Sequence, residues 1–241
     1  MEPAFVIALL MTGIGVGFAS GLLGVGGCFI MIPVQYWILT ASGVDATVAI
    51  RVAFGTNLLV VLPTAISGAI GHSKKGSVLW RAGVVLGVTG AFSSLLGGYV
   101  AAHLPGRILT TVFGFAILAG AVRMLTAKPP KVTEEPTRSM LPYFLWGIPL
   151  GFASGLIGIG GGVFSYIIEG LGVPGLPEYS VGYVNLLQWI LLAGTSIPMA
   201  QIGVRIAHKL PAKQLKYVFI AVMIYMGLKM MGVFSWLHLP I

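Results

Sequence analysis

The chain has 241 residues, of which 57% are apolar and only 8% are charged, and its mean hydropathy is +0.98. So few charges cannot cover the surface of a soluble domain of this length. The excess of 14 Lys and Arg over 6 Asp and Glu therefore reads as the mark of cytoplasmic loops rather than of a nucleic-acid surface.

Taken in chain order, the sequence breaks into long apolar stretches separated by Pro, Gly or charge. Met1-Glu2-Pro3 lacks the basic start of a signal peptide, so the first stretch is expected to be retained as a span. The first half holds five helical elements at about 3–23, 25–40, 46–71, 77–102 and 107–126. The second is short and opens on glycines, as a broken or re-entrant helix would. A polar, Pro-containing segment at 127–139 links this half (1–126) to the second (140–241). There, residues 162–181 hold one short apolar run, Val163 to Leu171, before Pro174 and Pro177. A further span then carries Tyr183, Asn185, Gln188, Thr195, Ser196 and Gln201. Lipid offers no partner to backbone amides, so spans of about 20 apolar residues are helices; the alternating ten-residue pattern of a membrane barrel is not seen. The fold class is an all-α integral membrane protein with about eight transmembrane helices.

The chain repeats itself. Residues 17–27 read GFASGLLGVGG and residues 151–161 read GFASGLIGIGG, 134 positions apart. Downstream, LPGRILTTVF at 104–113 matches LPAKQLKYVF at 210–219, and Gly76-Ser77-Val78 matches Gly182-Tyr183-Val184, both 106 positions apart. Internal repeats of this kind are typical of secondary transporters. The second half is 28 residues shorter between its glycine block and Gly182, which is room for a pair of elements, so five spans are followed by three. An odd number in the first half makes the second run the opposite way. Placing the linker in the cytoplasm then gathers eleven of the fourteen basic residues there, leaving Glu2, Asp45, Glu169, Glu178 and the exception Arg107 on the other side. That bias expects both termini outside.

Four features carry potential chemistry. The glycine blocks (Gly21, Gly24, Gly26, Gly27 and Gly155, Gly158, Gly160, Gly161, Gly162) interrupt helices. A helix start at such a break offers free amides to an anion, while small residues equally serve close helix packing. Arg51, with Thr56 and Asn57, lies inside an apolar run, where polar groups face a cavity or a partner; the plainer reading of Arg51 is snorkelling near the outer boundary beside Asp45. In the later span, Gln188 and Thr195 share a broad arc with Asn185, suited to interhelical hydrogen bonds or to a ligand. His72, His103, His208 and His238 stand near helix ends without metal-ligand spacing, so no metal and no cofactor is assigned. Cys28, the only cysteine, reads as an inert packed thiol.

In its twin glycine blocks, in Ala53-Phe54-Gly55-Thr56-Asn57 and in the paired LPxxxLxxxF ends, the chain resembles the TauE/SafE (TSUP) membrane transporters over nearly its whole length. The resemblance implies a secondary permease of the prokaryotic plasma membrane for sulfite, sulfonates or related organosulfur anions, working by alternating access without an ATPase. No GxxxxGK[ST] occurs. The expected substrate-binding set is Gly24, Gly26, Gly27, Arg51, Thr56, Asn57, Gly158, Gly160, Gly161 and Gln188. The partners are a small anion and the lipid bilayer, not nucleic acid, and oligomeric state is left open. In one place the chain departs from the family pattern, since GIGGGVFSYIIEG passes directly from the second glycine block to what resembles the end of a repeated Gly-Thr-Ser/Asn helix. Two other readings stand beside transport. One is a non-transporting membrane scaffold, which the shortened second half suggests. The other is an intramembrane serine hydrolase using Ser20, which would need a histidine within reach and is weakened by the duplicate Ser154.

Overall fold

A computed structural model describes residues 2–23, 27–73, 79–126, 139–160, 162–206 and 212–236. The helices are α1 (Pro3–Leu23), α2 (Cys28–Ala41), α3 (Ala46–Ser73), α4 (Trp80–His103), α5 (Gly106–Thr126), α6 (Leu141–Leu156), α7 (Val163–Glu169), α8 (Leu186–Ile206), α9 (Ala212–Met230) and α10 (Val233–Trp236). A two-residue hairpin, β1 (Ser180–Val181) and β2 (Val184–Asn185), pairs antiparallel before α8. Among the described residues, α1, α3, α4, α5 and α8 are long and apolar enough to cross a membrane, and α2 and α6 are shorter apolar helices. The five elements expected in the first half are all present, shifted by at most three residues.

Local chemistry sets the ends. Asp45 Oδ1 accepts the backbone N–H groups of Thr47 (2.8 Å) and Val48 (3.2 Å), capping α3. Asn185 Oδ1 accepts the N–H of Gln188 at 2.9 Å and starts α8 in the same way. Leu104-Pro105 separates α4 from α5. The second glycine block breaks α6 from α7 at Gly158, whose φ of +70° suits glycine. Pro33, Pro63, Pro149 and Pro198 lie inside helices, as membrane helices tolerate through neighbouring partners.

Helix α3 is the centre of the bundle. Ala49, Ile50, Val52, Ala53 and Phe54 are fully buried, while large side chains such as Phe92, Phe115, Trp146 and Phe164 point outward, an arrangement that suits a hydrocarbon solvent. α8 runs parallel to α3, joined by Asn185 N–H to Thr56 Oγ1, Trp189 Nε1–H to Leu59 O, Thr64 Oγ1 with Ser196 Oγ, and Gln201 Nε2 to Ser67. Two glycine-lined helix pairs flank this axis. Along α1, a Cβ on Gly13, Gly17 or Gly21 would strike Thr195, Ser196 or Ala200 of α8. Along α6, one on Gly147, Gly151 or Gly155 would strike Thr89, Gly90 or Ser94 of α4. α2 runs along α9, with Phe29 against Phe219 and Lys229 over Trp37.

Candidate functional site

The two chain breaks converge on the middle of α3. Asn57 Nδ2 donates to the carbonyl of Gly158 at 2.8 Å, inside the second break. The same side chain lies against Cys28, the first residue of α2, just after the first break at Gly27. One residue of the central helix therefore touches both interrupted segments. Its Oδ1 is buried and has no partner.

Two further amides lie on the helix faces that pack around this point. Gln188 is one turn before Leu192 of α8, and Gln35 is flanked by Met31 and Ile38 of α2. Leu192, Met31 and Ile38 share one apolar cluster with Val60 of α3. Gln35, Thr56, Asn57 and Gln188 are all 0% exposed. Both polar atoms of Gln188 and Oε1 of Gln35 lack partners; Gln35 Nε2 bonds back to Met31 O at 3.2 Å. A buried amide without a hydrogen bond costs about 1–3 kcal/mol. Three such amides lie on the faces that meet at the junction of α2, α3 and α8.

Arg51 lies two turns toward the start of α3. Its guanidinium donates to Tyr183 Oη and to Leu104 O, each at 3.0 Å, and sits over the Tyr183 ring. The snorkelling expectation is corrected in one detail, since Asp45 is occupied with capping α3 and Arg51 is held by Tyr183 and a carbonyl. Arg51 Nε is buried without a partner. Thr56 accepts the Asn185 N–H at 2.8 Å, so its oxygen ties α3 to β2. Gly158 packs on Phe54, Gly160 on Ser154 and Gly27 on Val16. Gly24, Gly26 and Gly161 lie outside the described residues. The structure thus brings Asn57 and Gly158 into contact and sets Thr56 and Gln188 beside them on α3 and α8, while Gly160 faces the opposite flank.

Of the polar stretch in α8, Ser196 and Gln201 bridge to α3, whereas Thr195 bonds back to its own helix at Leu191 O and Leu192 O. Gln35 was not singled out in the sequence, although a lone amide within CFIMIPVQYWILTA is the signal that could have drawn attention to it. Ser20 lines a narrow cavity with Val16, Gly27, Met31, Val60 and Thr64, and among the described residues no histidine is in its walls.

The profile of the sulfite exporter TauE/SafE family matches residues 9–168 and 165–230. The two stretches meet within α7, where the repeat offset falls. A probable membrane transporter protein of Haemophilus influenzae is 28% identical over 94% of this chain and 98% of its own length. One from Methanocaldococcus jannaschii is 25% identical over 92% and 94%, and one from Xylella fastidiosa is 31% identical over 61% and 56%. No solved structure matches the chain significantly. With five membrane-length apolar helices and a family match across the breaks and the central helix, the chain is a multi-pass membrane protein that belongs to the sulfite exporter TauE/SafE family.

Proposed function

We propose that the chain is a secondary permease for a small anion, sulfite or an organosulfur anion such as a sulfonate, working by alternating access at the junction of α2, α3 and α8. The observation that carries this reading is Asn57, which joins both chain breaks and keeps a buried, unpartnered oxygen. Paired breaks near the centre of two halves are where transporters hold substrate. The first-turn amides of α2 favour negative charge. Gln188 Nε2 adds a donor, and the Asn57, Gln188 and Gln35 carbonyls add acceptors. That mixture suits an anion that keeps a proton or brings water with it. The role of Gly24, Gly26 and Gly161 in this set follows from the duplication alone.

The same reading includes about eight spans in two inverted repeats, five followed by three, with α6 and α7 together making one broken span. Support comes from the helix directions. α1 runs parallel to α8 and hence to α3; α6 runs parallel to α4, which returns antiparallel to α3, since Leu104 meets Arg51 and Gly98 meets Tyr166 near Phe54. The duplicated glycine blocks therefore stand on oppositely running helices. Their contacts are reciprocal: Gly13, Gly17 and Gly21 meet Thr195, Ser196 and Ala200, and the residues 134 positions later meet those 106 positions earlier. With the positive-inside bias, both termini lie outside a prokaryotic plasma membrane.

The test is thermal stability of the purified protein with sulfite, sulfoacetate, taurine, thiosulfate, sulfate and chloride, on wild type and Asn57→Ala. A specific sulfur anion is expected to raise Tm by mass action, and the rise should vanish in the variant. A shift that persists in Asn57→Ala would move the site elsewhere, and no shift with any anion would favour the scaffold reading.

A further inference from the structure

A cavity of about 580 Å³ lies between α3, α4, α6 and α7. Its walls include Leu62, Leu86, Gly87, Leu150, Val163 and Phe164, and among the described residues Ser154 is the one lining side chain with a polar atom. Leu62, Leu150 and Phe164 are more than half exposed, so the mouth opens on the apolar, lipid-facing surface. We infer that this groove holds one phospholipid acyl chain, seated where the second half lacks a helix equivalent to α3; the inference rests on the repeat reading above.

The repeat identifies the vacancy. The α4 residues in the wall, Leu86, Gly87, Gly90 and Ala91, correspond at the offset of 106 to Leu192, Ala193, Ser196 and Ile197 of α8. On that side α3 covers them: Leu192 and Ala193 are buried and Ser196 bonds to Thr64 of α3. On α6, Leu150 and Ser154 correspond at the offset of 134 to Val16 and Ser20. Those two line the equivalent space beside α3, which is closed down to about 30 Å³. Beyond the groove α7 takes up the missing helix's last turns. Ser165 Oγ donates to Leu95 O at 2.7 Å, just as Ser67 meets Gln201, the residue 106 positions after Leu95. The groove is therefore the place of the turns that precede them.

The other occupants fit less well. A helix about 10 Å wide and some 20 Å long needs several times this volume. The longest segment outside the described residues, AKPPKVTEEPTR at 127–138, is polar and rich in proline, so it does not suit an apolar groove. A second copy cannot lend its α3, which is buried at the centre of its own bundle. Water needs two to four polar partners, roughly, and apolar cavities stay dry. Hydrocarbon is the remaining solvent, and the exposed Leu62, Leu150 and Phe164 at the mouth suit it.

Native mass spectrometry of the full chain, extracted in a delipidating detergent, tests this on three proteins. Wild type should retain one phospholipid per chain. Gly87→Phe, where a Cβ meets open space in the groove, should lower the lipid-bound fraction at least tenfold. Gly194→Phe, also in open space but on α8 away from the groove, should leave it unchanged. Wild type reconstituted with a diazirine-tailed phosphatidylglycerol should crosslink at Leu62, Leu150 or Phe164, a readout that needs no variant. Absence of retained lipid together with absence of crosslinks there, equal retention in Gly87→Phe, or a stoichiometric co-purifying polypeptide in the groove would each overturn the inference. None of these readouts depends on anion binding at Asn57, so the two proposals fail separately.

Discussion

At the residue scale, the buried amides are what distinguish the proposed site from an ordinary core. A core amide normally finds partners, and one that does not is destabilising relative to an apolar side chain of the same shape. Gln188 is fully buried with neither polar atom bonded. Gln188→Met should therefore raise the stability of the ligand-free protein by about 1 kcal/mol or more and at the same time abolish anion-dependent stabilisation. Thermal melts with and without the anion found for wild type measure both. A variant that is less stable, or that keeps the anion response, would make Gln188 an ordinary packing residue. Asn57 and Gln188 were legible because polar residues inside an apolar run stand out. The partner of Arg51 was not, because Tyr183 is 132 residues away in sequence and only the α7–α8 hairpin brings it near.

At the element scale, the helix pairs α1–α8 and α4–α6 are held by backbone approach at glycine. Gly17 faces the Ser196 backbone, which cannot swing aside, whereas Gly15 on the same helix faces open space. Gly17→Ala should separate the helices and cost about 1–3 kcal/mol, and Gly15→Ala should cost nothing or stabilise by up to about 1 kcal/mol through helix propensity. Gly151→Ala on α6, facing the Gly90 backbone, should match Gly17→Ala. Detergent-titration or thermal unfolding of the three variants reads the difference. Equal effects at Gly15 and Gly17 would show that propensity, not packing, controls these helices. The glycine spacing was visible in sequence, but packing and chain breaks use the same residue type. Only the contacts separate Gly13, Gly17 and Gly21, which pack, from Gly158, which turns the chain at positive φ.

At the scale of the whole molecule, the loops sort by end. The α2–α3 turn, Leu104-Pro105 and the hairpin of 170–185 gather at one end, since Thr47 meets Gly106 and Arg51 meets both Leu104 and Tyr183. The end of α3, the starts of α4 and α6, and the end of α8 gather at the other. In a Cys28→Ser background, Ser42→Cys and Glu178→Cys should react with an impermeant maleimide on intact cells, and Ser139→Cys only after permeabilisation. Labelling of Ser42→Cys and Ser139→Cys from the same side would overturn the inverted arrangement.

The sequence by itself determined the solvent, the helical class, the place of each break and the duplication, because all of these are written in local apolar length, glycine clusters and self-similarity. Tertiary structure alone decided which residues meet: that Asn57 reaches both breaks, that Gln35 joins Gln188 on the faces packed at the same junction, and that Asp45 caps a helix instead of pairing with Arg51. It also decided what stands between the second glycine block and the hairpin, a seven-residue α7 beside an apolar groove. The physical reason is that helix spacing along a chain predicts faces, while partners depend on how those faces dock, and docking here is governed by backbone contacts between segments more than a hundred residues apart.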